Sequence, residues 1–323
     1  MAAERHTRAM GTDLHVIVVG PGGTAGDREH ELVERAVTRV AQLEARWSRF
    51  IPQSEVSRLN GAVGTPLVVS DDTAALVARA VDAWHLTEGL VDCTLLDDLL
   101  RAGYDRPFDQ LPADRPAPTG TLRRIYGGDP GDIELYGNTV ALPLGLGIDP
   151  GGIGKGLAAD LVTAELLAAG AAGACVNLGG DLRVRGLGPD GGPWTISIDH
   201  PRHDGPIALV GLHDGAVASS TTLRRQWRVD GERRHHLLDP HTGEPTRSPL
   251  VFASALAAEG WQAEAMAKAF LLRGGDGPVF TSADAGAEGL VADLTGVVTV
   301  SPGFTRFTGG RRPSPLRPME VPA

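Results

Sequence analysis

Between Asp149 and Asp160 the chain reads Asp-Pro-Gly-Gly-Ile-Gly-Lys-Gly-Leu-Ala-Ala-Asp, a carboxylate, paired glycines and a lysine ahead of an amphipathic segment, Leu157 to Ala169. Glycines let a backbone approach a ligand closely, and a helix N-terminus offers N–H groups carrying partial positive charge. Lys155 adds a full charge at that end. These are the ingredients for holding a phosphate, with Asp149 placed to contact a neutral part of the same ligand. Neither familiar nucleotide fingerprint is present: Gly-x-Gly-x-x-Gly is absent, and Lys155 precedes Gly156 where a P-loop needs Ser or Thr. In isolation the same residues also read as a tight strand-to-helix turn with a solvated lysine.

Three other stretches carry reactive groups. Asn177-Leu-Gly-Gly-Asp181 sets an amide and a carboxylate around two glycines at a strand end, where open sheets present ligand sites; it reads equally as a turn with a G1-type bulge. His235-His-Leu-Leu-Asp239-Pro-His-Thr242-Gly243 is the densest. Adjacent histidines on a strand point to opposite faces, so one can serve a site while the other is solvated. A neutral imidazole suits deprotonation of a hydroxyl. Asp239 also fits a simple role in shaping its own turn. Ser219-Ser220-Thr221-Thr222 supplies hydroxyls after a strand, a type that usually satisfies backbone groups.

The elements that must position these groups follow from hydrophobic spacing. His15 to Gly20 reads as a buried strand, and residues 28–47 as an amphipathic helix with Leu32, Ala36, Val40, Leu43 and Trp47 inward. A helix is predicted from a cap signal at Asp71-Asp72 to Glu88, ended by Gly89. Ile133 to Leu142, turning at Gly137-Asn138, predicts a hairpin, and Arg225 to Val229 with His235 to Leu238 another. Strands are predicted at Ala174 to Leu178, Trp194 to Asp199, Ala208 to Leu212 and Val217 to Ser219. Ala253 and Ser254 open a segment that becomes a helix from Glu259 to Leu272. Helices and strands mix without strict alternation, which predicts an α+β fold rather than a doubly wound sheet. One domain over residues 1–308 is expected, with two intimately packed subdomains as a variant, a Pro-rich loop near 106–119, and a flexible tail at 309–323.

Composition bounds the function. The 323 residues include 30 basic and 40 acidic ones, a net charge of −10, which argues against a broad nucleic-acid surface but permits a local basic pocket. Cys93 and Cys175 have no metal-type spacing. The apolar stretch Leu161 to Leu178 is broken by Thr163, Glu165 and glycines, so no membrane span is expected. The N-terminal Met-Ala-Ala-Glu-Arg-His lacks the apolar core of a signal peptide, and no lipobox-like cysteine occurs, which makes cytoplasmic the expected location.

In order, the motifs resemble the ApbE-type FAD:protein FMN transferase family. The likeness runs through Met10-Gly-Thr12, Trp47-Ser-Arg-Phe50, Ser54 to Asn60, Gly89-Leu-Val-Asp92-Cys-Thr94 and Asp149 to Gly156. It continues through Asn177 to Asp181, Ala218-Ser-Ser220, His235 to Gly243 and Ala263-Glu-Ala-Met-Ala-Lys-Ala269, spanning residues 10 to about 305. The resemblance implies a T-fold-like architecture of mixed and antiparallel sheets packed with helices, one FAD held in a cleft, and a magnesium ion. It implies that the enzyme splits FAD at its pyrophosphate, moves FMN onto a Ser or Thr hydroxyl of an acceptor flavoprotein and releases AMP. By position, Met10 and Phe50 would lie near the flavin or adenine, and Asp149 and Lys155 would contact FAD. Asp92, Gly151, Gly152, Asp181, Ser220, Asp239, Thr242 and Lys268 would complete the FAD-binding set. The Gly152 main-chain oxygen and Glu264 would be metal ligands, and His236 or its neighbour His235 the base.

Two departures bear on activity. The family's metal helix carries Asp and Thr where this chain has Glu264 and Lys268. Glutamate still suits a hard cation, whereas lysine has no acceptor lone pair and repels one. Glu264 and Lys268 are four apart, acid first, the favourable order for an ion pair, so either the Lys268 ammonium takes the metal's place and neutralises the pyrophosphate directly, or magnesium affinity is reduced. In addition, Thr221 occupies a position where relatives commonly carry glycine, which predicts a reshaped turn. These changes leave two other readings beside transfer: an altered, non-catalytic FAD-binding protein, and an FAD pyrophosphatase giving FMN and AMP.

Overall fold

The computed structural model describes residues 2–21, 26–62, 64–117, 128–274, 278–281, 284 and 286–317. The elements run β1 (Ala2–Ala9), β2 (Thr12–Val19), α1 (Asp27–Trp47), α2 (Glu55–Gly61), β3 (Leu67–Val68), α3 (Asp71–Leu86) and α4 (Leu96–Arg101). Then come β4 (Asp114–Arg115), β5 (Glu134–Tyr136), β6 (Thr139–Ala141), α5 (Gly154–Ala168), β7 (Gly173–Leu178), β8 (Asp181–Gly186), β9 (Trp194–Asp199) and β10 (Pro206–Leu212). The chain continues with β11 (Asp214–Thr221), β12 (Gln226–Val229), β13 (Glu232–His235), β14 (Leu250–Ala257), α6 (Gly260–Leu272), β15 (Glu288–Asp293) and β16 (Val298–Val300). They form two compact units: Met1–Ala41, Lys155–Thr221 and Ser248–Ala323 make the first, Gln42–Gly154 and Thr222–Arg247 the second.

The first unit is built on an eight-stranded sheet, ordered β1-β2-β7-β8-β11-β14-β15-β16, in which each neighbouring pair is antiparallel. Two of its hairpins turn through two residues. Leu178 faces Asp181 across Gly179 (φ 66°) and Gly180 (φ 100°). Ala9 faces Thr12 across Met10 (φ 51°) and Gly11 (φ 67°). Positive φ at both central residues matches the right-handed twist of the strands, so the stretch after Asn177 is a tight hairpin turn and carries no G1 bulge.

One face of the sheet supplies Leu182, Val184, Val217, Phe252 and Leu290 to a core completed by the β9–β10 hairpin. Trp194, Ile196 and Ile198 alternate inward along β9, the period-two pattern of a strand with one solvated face. Helix α6 packs on β8, β11, β14 and β15, with Ala263, Ala265, Ala267 and Ala269 fully buried. In the expected flexible tail, Ser314 N–H donates to Ile207 O at 2.7 Å and Leu316 packs against the core, while 318–323 lie outside the described residues.

In the second unit the cap of α3 is Ser70, whose hydroxyl accepts from Thr73 N–H, and Asp71 and Asp72 form the first turn instead. The β5–β6 hairpin forms as expected, with Tyr136 opposite Thr139. The later hairpin is shifted from its expected register. Asp230 (φ 50°) and Gly231 (φ 79°) make a two-residue turn, so β13 begins at once at Glu232 and ends at His235. β12 also pairs in parallel with β4, inside the expected Pro-rich loop, of which Pro118 and Thr119 lie outside the described residues. Trp227 and Val229 pack with Leu95, Leu99, Ala102 and Leu238.

Candidate active site

In the first unit, three sequence-distant segments meet at the start of α5. Lys155 Nζ lies 2.5 Å from Asp181 Oδ2, at the β7–β8 turn, and 2.5 Å from Glu264 Oε1 on α6. Lys268 Nζ lies 3.1 Å from the same Glu264 oxygen. The other oxygen, Oε2, accepts the Gly156 backbone N–H at 2.8 Å. Two carboxylates and two ammonium groups thus form one connected cluster. The acids lie deeper: the Glu264 and Asp181 side chains are 1% and 6% exposed, against 19% for Lys155 and 12% for Lys268.

Burial alone would raise the pKa of Glu264. Lys155, Lys268 and the Gly156 N–H outweigh it and hold the carboxyl at about 2. Asp181 goes the other way, raised by burial, with Lys155 lowering it and Glu264 opposing its ionisation. The difference follows from the partners: Glu264 has two ammonium groups and the Gly156 N–H at 2.8 Å, whereas Asp181 has one close ammonium and a longer N–H contact, from Ser219 at 3.3 Å. Lys268 is lowered, burial being the largest cause, with Glu264 opposing.

The geometry depends on a close crossing of α5 and α6. A Cβ on Gly156 would lie 2.2 Å from Gly260 O, and one on Gly260 would lie 2.5 Å from Gly156 O, so only glycine permits the approach. Asp160, one turn beyond Gly156, caps α6 from outside that helix by accepting from Gly260 N–H (2.7 Å) and Trp261 N–H (3.0 Å), and it pairs with Arg183 at 3.1 Å. Burial keeps its carboxyl up, at about 6, against the pull of those donors. Asp160 and Gly260 thus join the candidate site through the helix crossing rather than through any reactive motif. Helical spacing is the signal for both: Gly156 and Asp160 share one face of α5, and Gly260, Glu264 and Lys268 share one face of α6.

Beside this cluster, Met10 holds the strained position of its turn, partly exposed. That turn abuts the β7–β8 turn, since Gly179 N–H donates to Asp13 O at 2.9 Å and Thr12 fills the space beside Gly179. Ser220 is buried in β11 opposite Ala253. The expected reshaped turn at Thr221 is a strand end instead: Thr221 pairs with Phe252 and its hydroxyl donates to Val251 O at 2.7 Å. Extended backbone is open to threonine, so no glycine is required.

The second unit holds the other candidates. Asp149 caps the short turn Pro150–Gly152, accepting from Gly151 N–H at 2.7 Å, and its other oxygen pairs with the Arg49 guanidinium. Arg49 also lies over Phe50, 4.1 Å from the ring centroid, and donates to Tyr104 O at 2.8 Å. Arg49 sits inside the Trp47 to Phe50 motif, and its pairing with Asp149, 100 residues away, has no signal in the local spacing. Asp92 accepts from Thr94 N–H (2.7 Å) and hydroxyl (2.6 Å), a local turn. Asp239 likewise shapes its own loop, its carboxylate accepting from His241 N–H and its carbonyl from Thr242 and Gly243. His235 Nδ1 is buried without a hydrogen bond, and burial lowers the imidazole's pKa against the carbonyls of Thr246 and Leu237. His236 lies just past the β13 ladder, so strict strand alternation does not govern the pair.

Comparison with known proteins settles the family. The ApbE family model matches residues 10–288. The chain belongs to the ApbE family. ApbE-family relatives named FAD:protein FMN transferase include those of Haemophilus influenzae, 29% identical over 83% of this chain and 80% of that protein, and Vibrio cholerae, 29% identical over 82% and 79%. Among solved structures, the ApbE protein of Thermotoga maritima superposes with a TM-score of 0.83 at 26% identity, covering 95% of this chain and 99% of that one. The flavin transferase ApbE from Vibrio cholerae gives 0.77 at 25% identity, covering 95% and 100%. The expected α+β ApbE architecture is therefore the observed one.

The fold family implies a metal, but the residues at its expected place do not suit one. Both oxygens of Glu264 already accept from cationic or N–H donors, and Lys268 offers no lone pair while protonated. Among the described residues, a grouping of His and acid side chains close enough to share an ion is Glu4, His6 and His15, on the β1–β2 hairpin.

Proposed function

We propose that this ApbE-family chain is an FMN transferase that uses FAD as its substrate. The observation that carries the reading is the convergence of Lys155, Asp181, Glu264 and Lys268, drawn from three separate motifs, at the N-terminus of α5. The names of the relatives agree with it.

In this reading an acceptor Ser or Thr oxygen attacks the phosphorus on the FMN side of the pyrophosphate. The bond from that phosphorus to the bridging oxygen breaks, and AMP leaves with that oxygen. Negative charge grows on the leaving group, and the Lys155 ammonium at the start of α5 is suited to stabilise it. The acceptor proton passes to an imidazole, assigned to His236 or His235. Burial favours the neutral form of His235, the form that can accept a proton. Asp149, Phe50 and Met10 are assigned to orienting the rest of FAD, with Arg49 fixing Asp149 in place.

Incubation with FAD and a Ser/Thr acceptor peptide, with and without magnesium, followed by mass spectrometry, tests the assignment. Transfer adds an FMN mass to the peptide and releases AMP. Free FMN and AMP with an unmodified peptide would indicate hydrolysis instead, and intact FAD under all conditions would refute catalysis.

A further inference from the structure

We propose that the Lys155–Lys268 pair, held by Glu264 and Asp181, stands in the place of a divalent cation at this site, so that FAD is bound through ammonium N–H donors to its pyrophosphate without a metal. The inference rests on the reading of this cluster as the FAD pyrophosphate site, and it gives the charge chemistry of that site.

Three observations carry it. Glu264 Oε1 lies 2.5 Å from Lys155 Nζ and 3.1 Å from Lys268 Nζ, so one carboxylate oxygen anchors both ammonium groups. Its second oxygen is engaged by the Gly156 N–H at 2.8 Å, which leaves Glu264 well supplied with donors without any ion. The cations lie outward of the acids, with Glu264 only 1% exposed and Lys155 19%. The two ammonium groups are therefore the more solvent-accessible charges of the cluster, Asp181 being 6% and Lys268 12% exposed.

A divalent ion on Glu264 would lie within a few ångströms of two ammonium groups, where repulsion opposes its entry. An ammonium group instead offers N–H donors to phosphate oxygens directly. Glu264 is in this account a positioning residue: it orients two cations and ligates no metal. Because Glu264 and Lys268 are one helical turn apart on α6, and Gly260 on the same face fixes the helix against Gly156, the second ammonium is set by the helix crossing.

The test is FAD binding, followed by flavin fluorescence, in excess EDTA and in saturating magnesium. The wild-type chain should bind FAD in EDTA, with magnesium changing the affinity by no more than about twofold. Lys268→Thr should lose about tenfold or more in EDTA, the scale of one charge-assisted hydrogen bond, and recover on addition of magnesium. Lys268→Arg keeps the charge and should remain insensitive to magnesium. Wild-type binding that requires magnesium, or is tightened by it more than about tenfold, overturns the inference while leaving the transferase reading intact. Absence of FAD binding under both conditions overturns the transferase reading and the inference with it. The wild-type comparison needs no variant to fold.

Discussion

At the residue scale, Lys155 is the charge that joins the two acids of the site. Its ammonium bridges Asp181 and Glu264, and removing it leaves two buried acids with Lys268 as the remaining nearby cation. Lys155→Met should lower stability by about 2–3 kcal/mol, less than a fully buried pair because the lysine is partly exposed, and weaken FAD binding by about 10- to 100-fold. Denaturant titration and fluorescence check the two effects separately. His235 gives a pH test. Burial lowers its pKa, so as a base it stays competent below the ordinary histidine midpoint of 6.5. If His235 is the base, the acid limb of kcat/KM falls below pH 6.5 and His235→Gln abolishes that limb; a limb unchanged in the variant points to His236.

At the scale of elements, the site is a consequence of how α5 crosses α6. Gly156→Ala puts a methyl group into the Gly260 carbonyl, where backbone and not a flexible side chain must move. The variant should cost about 1–3 kcal/mol and, by parting the helices, weaken FAD binding although it alters no charge. Equal FAD affinity in the variant would show that the crossing does not set the site. Asp160→Ala removes two N–H acceptors at the start of α6 and the pair with Arg183, and should lower stability by about 1–3 kcal/mol, read from the denaturation midpoint. The hairpin turns were readable to different degrees. Gly179-Gly180 signalled a turn, whereas Met10 was legible only through its motif, because a methionine at positive φ has no local sequence signature.

At the scale of the whole molecule, a ligand that binds only the folded state must raise its stability. Free FAD at about 100 times its dissociation constant should add about 2.7 kcal/mol, a rise in melting temperature by fluorimetry that AMP alone at the same concentration should not match. The folded state also carries a pH dependence from His200, 3% exposed and packed edge-on to Phe252. Burial lowers its pKa from 6.5 to about 4. Between those values the unfolded chain binds a proton that the folded chain does not, so stability is complete above pH 6.5 and falls as pH drops toward 4. The loss is on the order of 1–3 kcal/mol, and His200→Gln should flatten that segment of the profile. No helix among the described residues is long and apolar enough to cross a membrane, in line with the broken apolar stretch after Leu161.

Local pattern was enough to determine the α+β class, most helices, several strands and, through the ordered motifs, the family. Those signals depend on residues near one another in the chain, where period and turn chemistry are set. The eight-strand order was not legible, because strand pairing is decided by contacts between distant segments. The β12–β13 register escaped for a smaller reason, a turn displaced toward Asp230-Gly231. The tertiary structure alone decided that Lys155 meets Asp181 and Glu264 and that Asp149 is paired with Arg49, whereas the turn around Asp239 was legible locally. A carboxylate's partner is fixed by what folding brings within about 3 Å of it, and spacing along the chain does not encode that distance.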